Sequence, residues 1–290
     1  MLSTLNDVLQ EAQKGAYAVG AFNTPNLESV MAVVAAAEEL GVPVILSHAE
    51  VHEPMMPIEI IGPIMLDFAA RAKMPVVVHL DHGSSYDLAV KAIRLGFTSL
   101  MYDQSACSYE ENGKRTAEVC KMAHAVGVSV EAELGHILNA ETASGESSHA
   151  QGETDTGQLY TDPQKAREFI ELTGADALAI AFGTAHGIYA TKPVLDLNRI
   201  AAIREETDVP LVMHGGSGVD EAQYRTAIQN GITKINYFTY MSQAGGGGVA
   251  RQIENTKAQG GQVFFHDIAN WGIEAMKQDV KKAMEVFSMR

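Results

Sequence analysis

Three histidines each stand where an apolar run ends. They occur in Pro75–Val76–Val77–Val78–His79–Leu80–Asp81–His82, in Ala177–Leu178–Ala179–Ile180–Ala181–Phe182–Gly183–Thr184–Ala185–His186–Gly187, and in Pro210–Leu211–Val212–Met213–His214–Gly215–Gly216–Ser217–Gly218. Apolar runs bounded by proline and glycine read as buried strands. A histidine just past such a strand points into a mouth shared with its neighbours. His82, His186 and His214 therefore suit one metal ion, expected to be Zn²⁺. Neutral imidazole is its common ligand, and three protein ligands leave a position open for substrate. For one histidine alone, a hydrogen-bonded residue at a strand end is the simpler reading. Three at matching strand ends favour the metal. His79 is expected to face away from His82 and to be structural or to support a ligand. His48 ends another apolar run and is expected to face the same mouth. His124, His136, His149 and His266 read as loop or surface residues.

Carboxylates accompany these histidines. Asp81, beside His82, is placed to shuttle a proton to a hydroxyl of a bound ligand. The alternative is a carboxylate that orients a metal-bound histidine. Glu131 and Glu133 share one face of the Val130–Leu134 run. Two buried carboxylates are costly without a cation, which a metal or Lys234 would supply. In one arrangement Glu131 pairs with Lys234 and Glu133 serves the metal; Asp103 could join the cluster. Gly215–Gly216–Ser217–Gly218 and Asn236–Tyr237–Phe238–Thr239 read as a phosphate cradle, because glycine lets backbone N–H groups approach an anion. The formal net charge of −15 agrees with a phosphate held by backbone N–H groups and hydroxyls.

The elements that must carry these residues alternate. Strand-like runs fall at 18–23, 42–48, 75–82, 99–103, 129–135, 177–183, 210–215 and 234–239. Helical spacing falls between them, with Asn26 as an N-cap and Gly41 as a stop on the first interval helix. Eight strand–helix repeats predict an α/β fold, a (β/α)₈ TIM barrel with extra C-terminal helices, and a single domain over 1–290. An open doubly wound sheet would carry an early G-x-G-x-x-G, which is absent. Residues 136–161, polar over most of their length, are expected to form a mobile active-site loop. Residues 267–287 are expected to be a helical tail. Gly245–Gly248 interrupts a helical pattern and reads as a flexible break or a loop.

The hydrophobic share of 46% is ample for a large core. The negative charge argues against nucleic acid or an anionic membrane as partner. No apolar stretch is long enough to span a bilayer. The N-terminus has no basic start followed by an apolar core, so a cytoplasmic location is expected. Cys107 and Cys120 have no zinc spacing and read as ordinary thiols of a reducing compartment.

The motifs resemble the class II, zinc-dependent ketose-bisphosphate aldolases of the fructose- and tagatose-1,6-bisphosphate type. The stretches that carry the resemblance run in family order over nearly the whole chain. They are Ala21–Phe22–Asn23, His79–Leu80–Asp81–His82, Glu110–Glu111–Asn112, Val130–Glu131–Ala132–Glu133–Leu134–Gly135, Leu159–Tyr160–Thr161–Asp162–Pro163, Gly183–Thr184–Ala185–His186–Gly187, His214–Gly215–Gly216–Ser217–Gly218 and Lys234–Ile235–Asn236. The resemblance implies zinc on His82, His186 and His214, with Glu133 near the metal. It implies Asp81 as acid/base at the C4 hydroxyl and Glu141 as the loop's proton-transfer residue. Asn23, Gly187, Gly215, Gly216, Ser217, Asn236 and Thr239 match positions at the dihydroxyacetone phosphate end, where relatives also bind a monovalent cation, Na⁺ or K⁺. The implied partner is a small sugar phosphate, and the implied assembly a homo-oligomer, dimer or tetramer.

The chain also departs from the family pattern. The family's Gly–Gly hinge reads Leu138–Asn139, and its Asp-Gly-Ser-His stretch reads Asp103–Gln104–Ser105–Ala106. Phe238 precedes the cradle threonine. Ala49 stands where bisphosphate enzymes carry a hydroxyl for the distal phosphate, and Glu50 beside it would repel that phosphate if it pointed inward. An aldehyde half other than glyceraldehyde 3-phosphate is therefore expected. A metal-dependent hydrolase on the same barrel and a non-catalytic sugar-phosphate-binding protein are the competing functions.

Overall fold

The computed structural model describes residues 1–139, 160–189 and 191–290. Helix α1 (Leu5–Gly15) leads into β1 (Val19–Asn23), α2 (Leu27–Leu40), β2 (Val44–Ala49), a 3₁₀ turn (Glu50–His52) and α3 (Ile58–Arg71). Then come β3 (Val76–Gly83), α4 (Tyr86–Leu95), β4 (Ser99–Tyr102), α5 (Tyr109–His124), β5 (Ser129–Leu134) and the short β6 (Leu138–Asn139). The chain continues through α6 (Pro163–Thr173), β7 (Ala177–Ile180), β8 (Ala185–His186), α7 (Leu197–Glu206) and β9 (Leu211–Met213). It ends with α8 (Glu221–Gln229), β10 (Ile232–Asn236), α9 (Thr239–Ala258) and α10 (Phe265–Phe287). Eight parallel strands close into a barrel in the order β1–β10–β9–β7–β5–β4–β3–β2. The expected (β/α)₈ architecture is the observed one. No helix among the described residues is long and apolar enough to cross a membrane.

Strand alternation sorts the chain into two apolar layers. Val76, Val78 and Leu80 of β3, with Val130 and Ala132 of β5, face the surrounding helices. Val77, Val19, Ala21, Ala177, Ala179 and Val212 point inward, where Leu5, Val8, Leu9 and Ala12 of α1 pack against them. Helix α1 thus plugs the N-terminal mouth. Sequence reading missed it, although apolar residues at 5, 8, 9 and 12 are a one-face helical spacing. Thr4 caps it by accepting from the Asp7 N–H. Above the plug the interior turns polar, with His79, Ser99, Glu131 and Lys234 all fully buried. A closed lower mouth leaves the C-terminal mouth as the way in.

The expected caps of α2 are present. Asn26 accepts from the Ser29 N–H, and Gly41 ends the helix at φ 67°. Gly245–Gly248 is neither a break nor a loop but lies inside α9. A Cβ on Gly248 would collide with Ala275 of α10, and one on Gly245 would come within 2.9 Å of Met276 Cγ. These glycines let two helices approach closely, a gain that outweighs their helix cost of ~1 kcal/mol each. The helical tail begins slightly earlier than expected, at Phe265. Of the expected loop, residues 140–159 lie outside the described residues. At its start β6 pairs in parallel with β8, Leu138 opposite Ala185 and Asn139 opposite His186.

Candidate active site

The C-terminal mouth opens into a cavity of about 480 Å³. Asn23, Asp81, His82, Glu133, His186, Gly187, Gly215, Ser217, Asn236 and Thr239 line it. His214 is fully buried but joins His82 and His186 in a set whose ligand atoms lie within 4.8 Å of one another. Gly216 sits behind the wall, its N–H spent on the Asn236 carbonyl at 3.1 Å. Glu141 lies outside the described residues, as does His149.

Simple alternation would send Asp81 and His82 to opposite faces. The backbone resolves this at His82, which has φ 51°. The pairing of β3 with β4 shifts register between Leu80 and Gly83 at the same point. A non-glycine residue in this region costs on the order of 1 kcal/mol or more and persists only where its surroundings enforce it. Here the bulge brings both side chains into one cavity.

Two of the three histidines, His82 and His214, are oriented by a carboxylate neighbour. His82 Nδ1 is 2.7 Å from Asp103 Oδ2, and Ser105 N–H donates to the other Asp103 oxygen at 3.0 Å. His214 Nε2 is 2.7 Å from Glu131 Oε1, while Lys234 Nζ donates to Glu131 Oε2 at 2.7 Å. This leaves His82 Nε2 and His214 Nδ1, which face each other at 2.9 Å. The Glu131–Lys234 pair is one of the arrangements that the sequence left open. His79 lies beneath, on Ser99 Oγ at 2.8 Å, and supports the layer. Asp81 is clamped between two amides, Asn23 Nδ2 and Asn236 Nδ2, each donating at 3.1 Å.

The donor set fits a divalent cation. Glu133 Oε2, Asn23 Oδ1 and Asn236 Oδ1 are buried without a hydrogen-bond partner among the described residues, and such orphans usually mark an unseen ligand or ion. Burial, reinforced by Asp103, pushes Glu133 up to about 8. Burial works against the His82 imidazolium, but Asp81 and Asp103 outweigh it and hold its pKa at about 9. Carboxylates that favour a proton on His82 favour a metal ion there equally. Burial and the neighbouring His214 and His82 push His186 down to about 3, keeping it neutral as a ligand must be.

These shifts predict how the metal-free protein responds to pH. The folded-state pKa values of His82 and Glu133 are raised above their ordinary 6.5 and 4.5. Between about pH 6.5 and 9 the folded protein holds protons that the unfolded chain has lost, so stability falls as pH rises. The Tm of chelator-treated protein should drop across this window. Added divalent metal should raise Tm more at pH 9 than at 6.5, because its ligands must shed those protons. A Tm that climbs with pH in the chelated protein contradicts this reading.

The glycine-rich loop after β9 is built for close approach. Gly215 has φ 63°, and a Cβ there would overlap the Ala185 carbonyl. Tyr189 Oη pins the segment by donating to the Gly215 carbonyl at 2.9 Å and accepting from the Ala185 N–H at 2.7 Å. Helix α9 starts beside it, and no side chain caps its N-terminus. Uncapped N–H groups at a long helix's start favour an anion.

The structure corrects the sequence reading at His48 and adds to it at Glu50, His52 and His136. His48 is buried but does not face the mouth. It pairs with Leu80, which faces the helices, and bonds Glu53 at 2.8 Å. Glu50 does not point into the cavity; its carboxylate accepts from Ser84 N–H at 2.6 Å and Ser84 Oγ at 3.0 Å. His52 lines the cavity, packed edge-to-face on Phe238 with centroids 5.0 Å apart. His52 lies outside every apolar run, so strand-end reasoning passed over it. His136, read as a loop or surface residue, also lines the wall.

The chain was compared with known proteins. The family model for class-II fructose-bisphosphate aldolase matches residues 3–290. Fructose-bisphosphate aldolase of Geobacillus stearothermophilus is 42% identical over 82% of this chain and 81% of its own. The Thermus caldophilus enzyme of the same name is 39% identical over 99% of this chain and 98% of its own. The crystal structure of the YdjI aldolase from Escherichia coli K12 superposes with a TM-score of 0.85 at 34% identity, covering 99% of this chain and 97% of that one. The chain belongs to the class II fructose-bisphosphate aldolase family, a family of metal-dependent lyases.

Proposed function

We propose that the chain is a zinc-dependent aldolase that reversibly cleaves a ketose phosphate to dihydroxyacetone phosphate and an aldehyde. One observation carries the reading: an ionised carboxylate, Asp81, shares a cavity with a three-histidine cluster and a glycine-lined, uncapped helix start. His82, His186 and His214 would hold the zinc, with Glu133 beside them. Bound there, the ion supplies Lewis acidity that lowers the cost of negative charge at the ketose carbonyl oxygen.

The chain's own residues do the rest. Gly187, Gly215, Ser217, Asn236 and Thr239 hold the phosphate end, where a bound monovalent cation would add positive charge beside the phosphate. The carboxylate of Asp81, oriented by Asn23 and Asn236, accepts the C4 hydroxyl proton. The C3–C4 bond breaks, the aldehyde carbonyl forms at C4, and the electron pair stays with the three-carbon fragment as an enediolate. Glu141 returns a proton to give dihydroxyacetone phosphate. Lys234 is committed to Glu131 and no lysine among the described residues lines the cavity, so the scheme needs no lysine Schiff base. A homo-oligomer in the cytoplasm, dimer or tetramer, completes the proposal.

Retro-aldol assays on ketose 1-phosphates and 1,6-bisphosphates, with chelator and with restored Zn²⁺, test it. Dihydroxyacetone phosphate should appear with zinc and vanish with chelator. Chelator-resistant cleavage, or no cleavage of any member by zinc-loaded protein, would sink the proposal.

A further inference from the structure

We infer that the aldehyde half of the substrate is uncharged, so that the enzyme acts on ketose 1-phosphates rather than bisphosphates. This rests on the aldolase reading and concerns the far end of the same cavity. The barrel order sets the loops after β9 and β10 opposite those after β3 and β4, and the His186–Gly187 segment after β7 opposite β2. With the phosphate at the first set, the aldehyde half meets the second. There the wall is Ala49, Val51, His52, Ser105 and Ala106, with Phe238 closing over His52.

Among the described residues this wall carries no cationic side chain to hold a second phosphate. Among the described residues no lysine or arginine lines the cavity, and residues 140–159 contain neither in their sequence. The donors of nearby Ser84, a backbone N–H and a hydroxyl, are already taken by the carboxylate of Glu50. Glu50 lies between Ala49 and Val51 of the wall; its carboxylate, turned onto Ser84 and away from the cavity, keeps a negative charge behind that wall. A like charge behind the wall, with no lysine or arginine among the described residues lining the cavity, selects against the bisphosphate. Burial and the adjacent His48 push the His52 pKa down, so this ring adds no positive charge near neutral pH. What remains, an imidazole, a hydroxyl and small apolar groups, suits a hydroxylated neutral aldehyde.

The test compares kcat/KM of the zinc-loaded enzyme for fructose 1-phosphate and tagatose 1-phosphate with that for each 1,6-bisphosphate. The 1-phosphate of at least one pair should be used as well as its bisphosphate or better. A preference of more than about tenfold for both bisphosphates overturns the inference while leaving the aldolase intact. Cleavage of none of the four would instead strike the aldolase reading itself. In Glu50→Gln, which keeps the bond to Ser84 and removes the charge, the bisphosphate-to-1-phosphate ratio should rise about tenfold. An unchanged ratio removes Glu50 from the argument, and the wild-type comparison still decides the substrate class.

Discussion

Asp81→Asn should lose ketose cleavage by about 10²- to 10⁴-fold in kcat while keeping its metal. The carboxylate is 2% exposed, and burial alone would neutralise it. His82, His214 and Lys234 instead hold it well below the usual carboxylate range, so it is ionised, with its oxygens free of a proton, at any working pH. Asn23 and Asn236 each donate one hydrogen bond to it and fix its plane. An amide of the same shape can accept only one of those bonds and cannot take a proton. The three histidines are untouched, so metal content by elemental analysis should stay at the wild-type level. Turnover within tenfold of wild type would move the acid/base role elsewhere. A non-catalytic binding protein would have shown no turnover to lose.

Lys234→Met should damage both the fold and the metal site. Lys234 and Glu131 are each 0% exposed and sit 2.7 Å apart. Removing one partner of such a pair leaves an uncompensated charge and costs ~3–5 kcal/mol. For a barrel of this size that is a fall in Tm of roughly 5–10 °C. Burial disfavours the Glu131 charge, but Lys234 and His214 bring its pKa down to about 2. The stability it contributes is therefore present above its ordinary pKa and lost only as pH falls through about 2. Without Lys234, Glu131 favours a proton and loosens its hold on His214 Nε2. Metal affinity, by titration with a competing chelator, should then weaken by about 10- to 100-fold. Adding Glu131→Gln should restore part of the stability but not the metal affinity, which separates the two roles. A single variant that melts like wild type would show that the pair is dispensable.

Much of this was legible in the sequence. Val76, Val77 and Val78 demand burial on both faces, as only a covered parallel strand provides. Eight such runs, each followed by helical spacing, determine the barrel and its right-handed order. They also place His82, His186, His214, Asp81, Glu133 and Asn236 at one end, because each comes late in, or just after, its strand. Local chemistry was equally readable at Asn26 and Gly41, whose roles depend on neighbours in sequence.

The tertiary structure alone decided how those side chains are aimed and paired. Period-two alternation sends Asp81 and His82 apart, and only the positive φ at His82, enforced by the bulge against β4, reunites them. Glu131 and Glu133 look alike in sequence; depth in the barrel gives the first to Lys234 and leaves the second with an orphan oxygen. Glu50 turns from the cavity because Ser84, 34 residues later, offers it two donors. Gly248 reads as a helix breaker until Ala275 is seen against it. Each of these rests on contacts between residues distant in the chain, which local propensity does not encode.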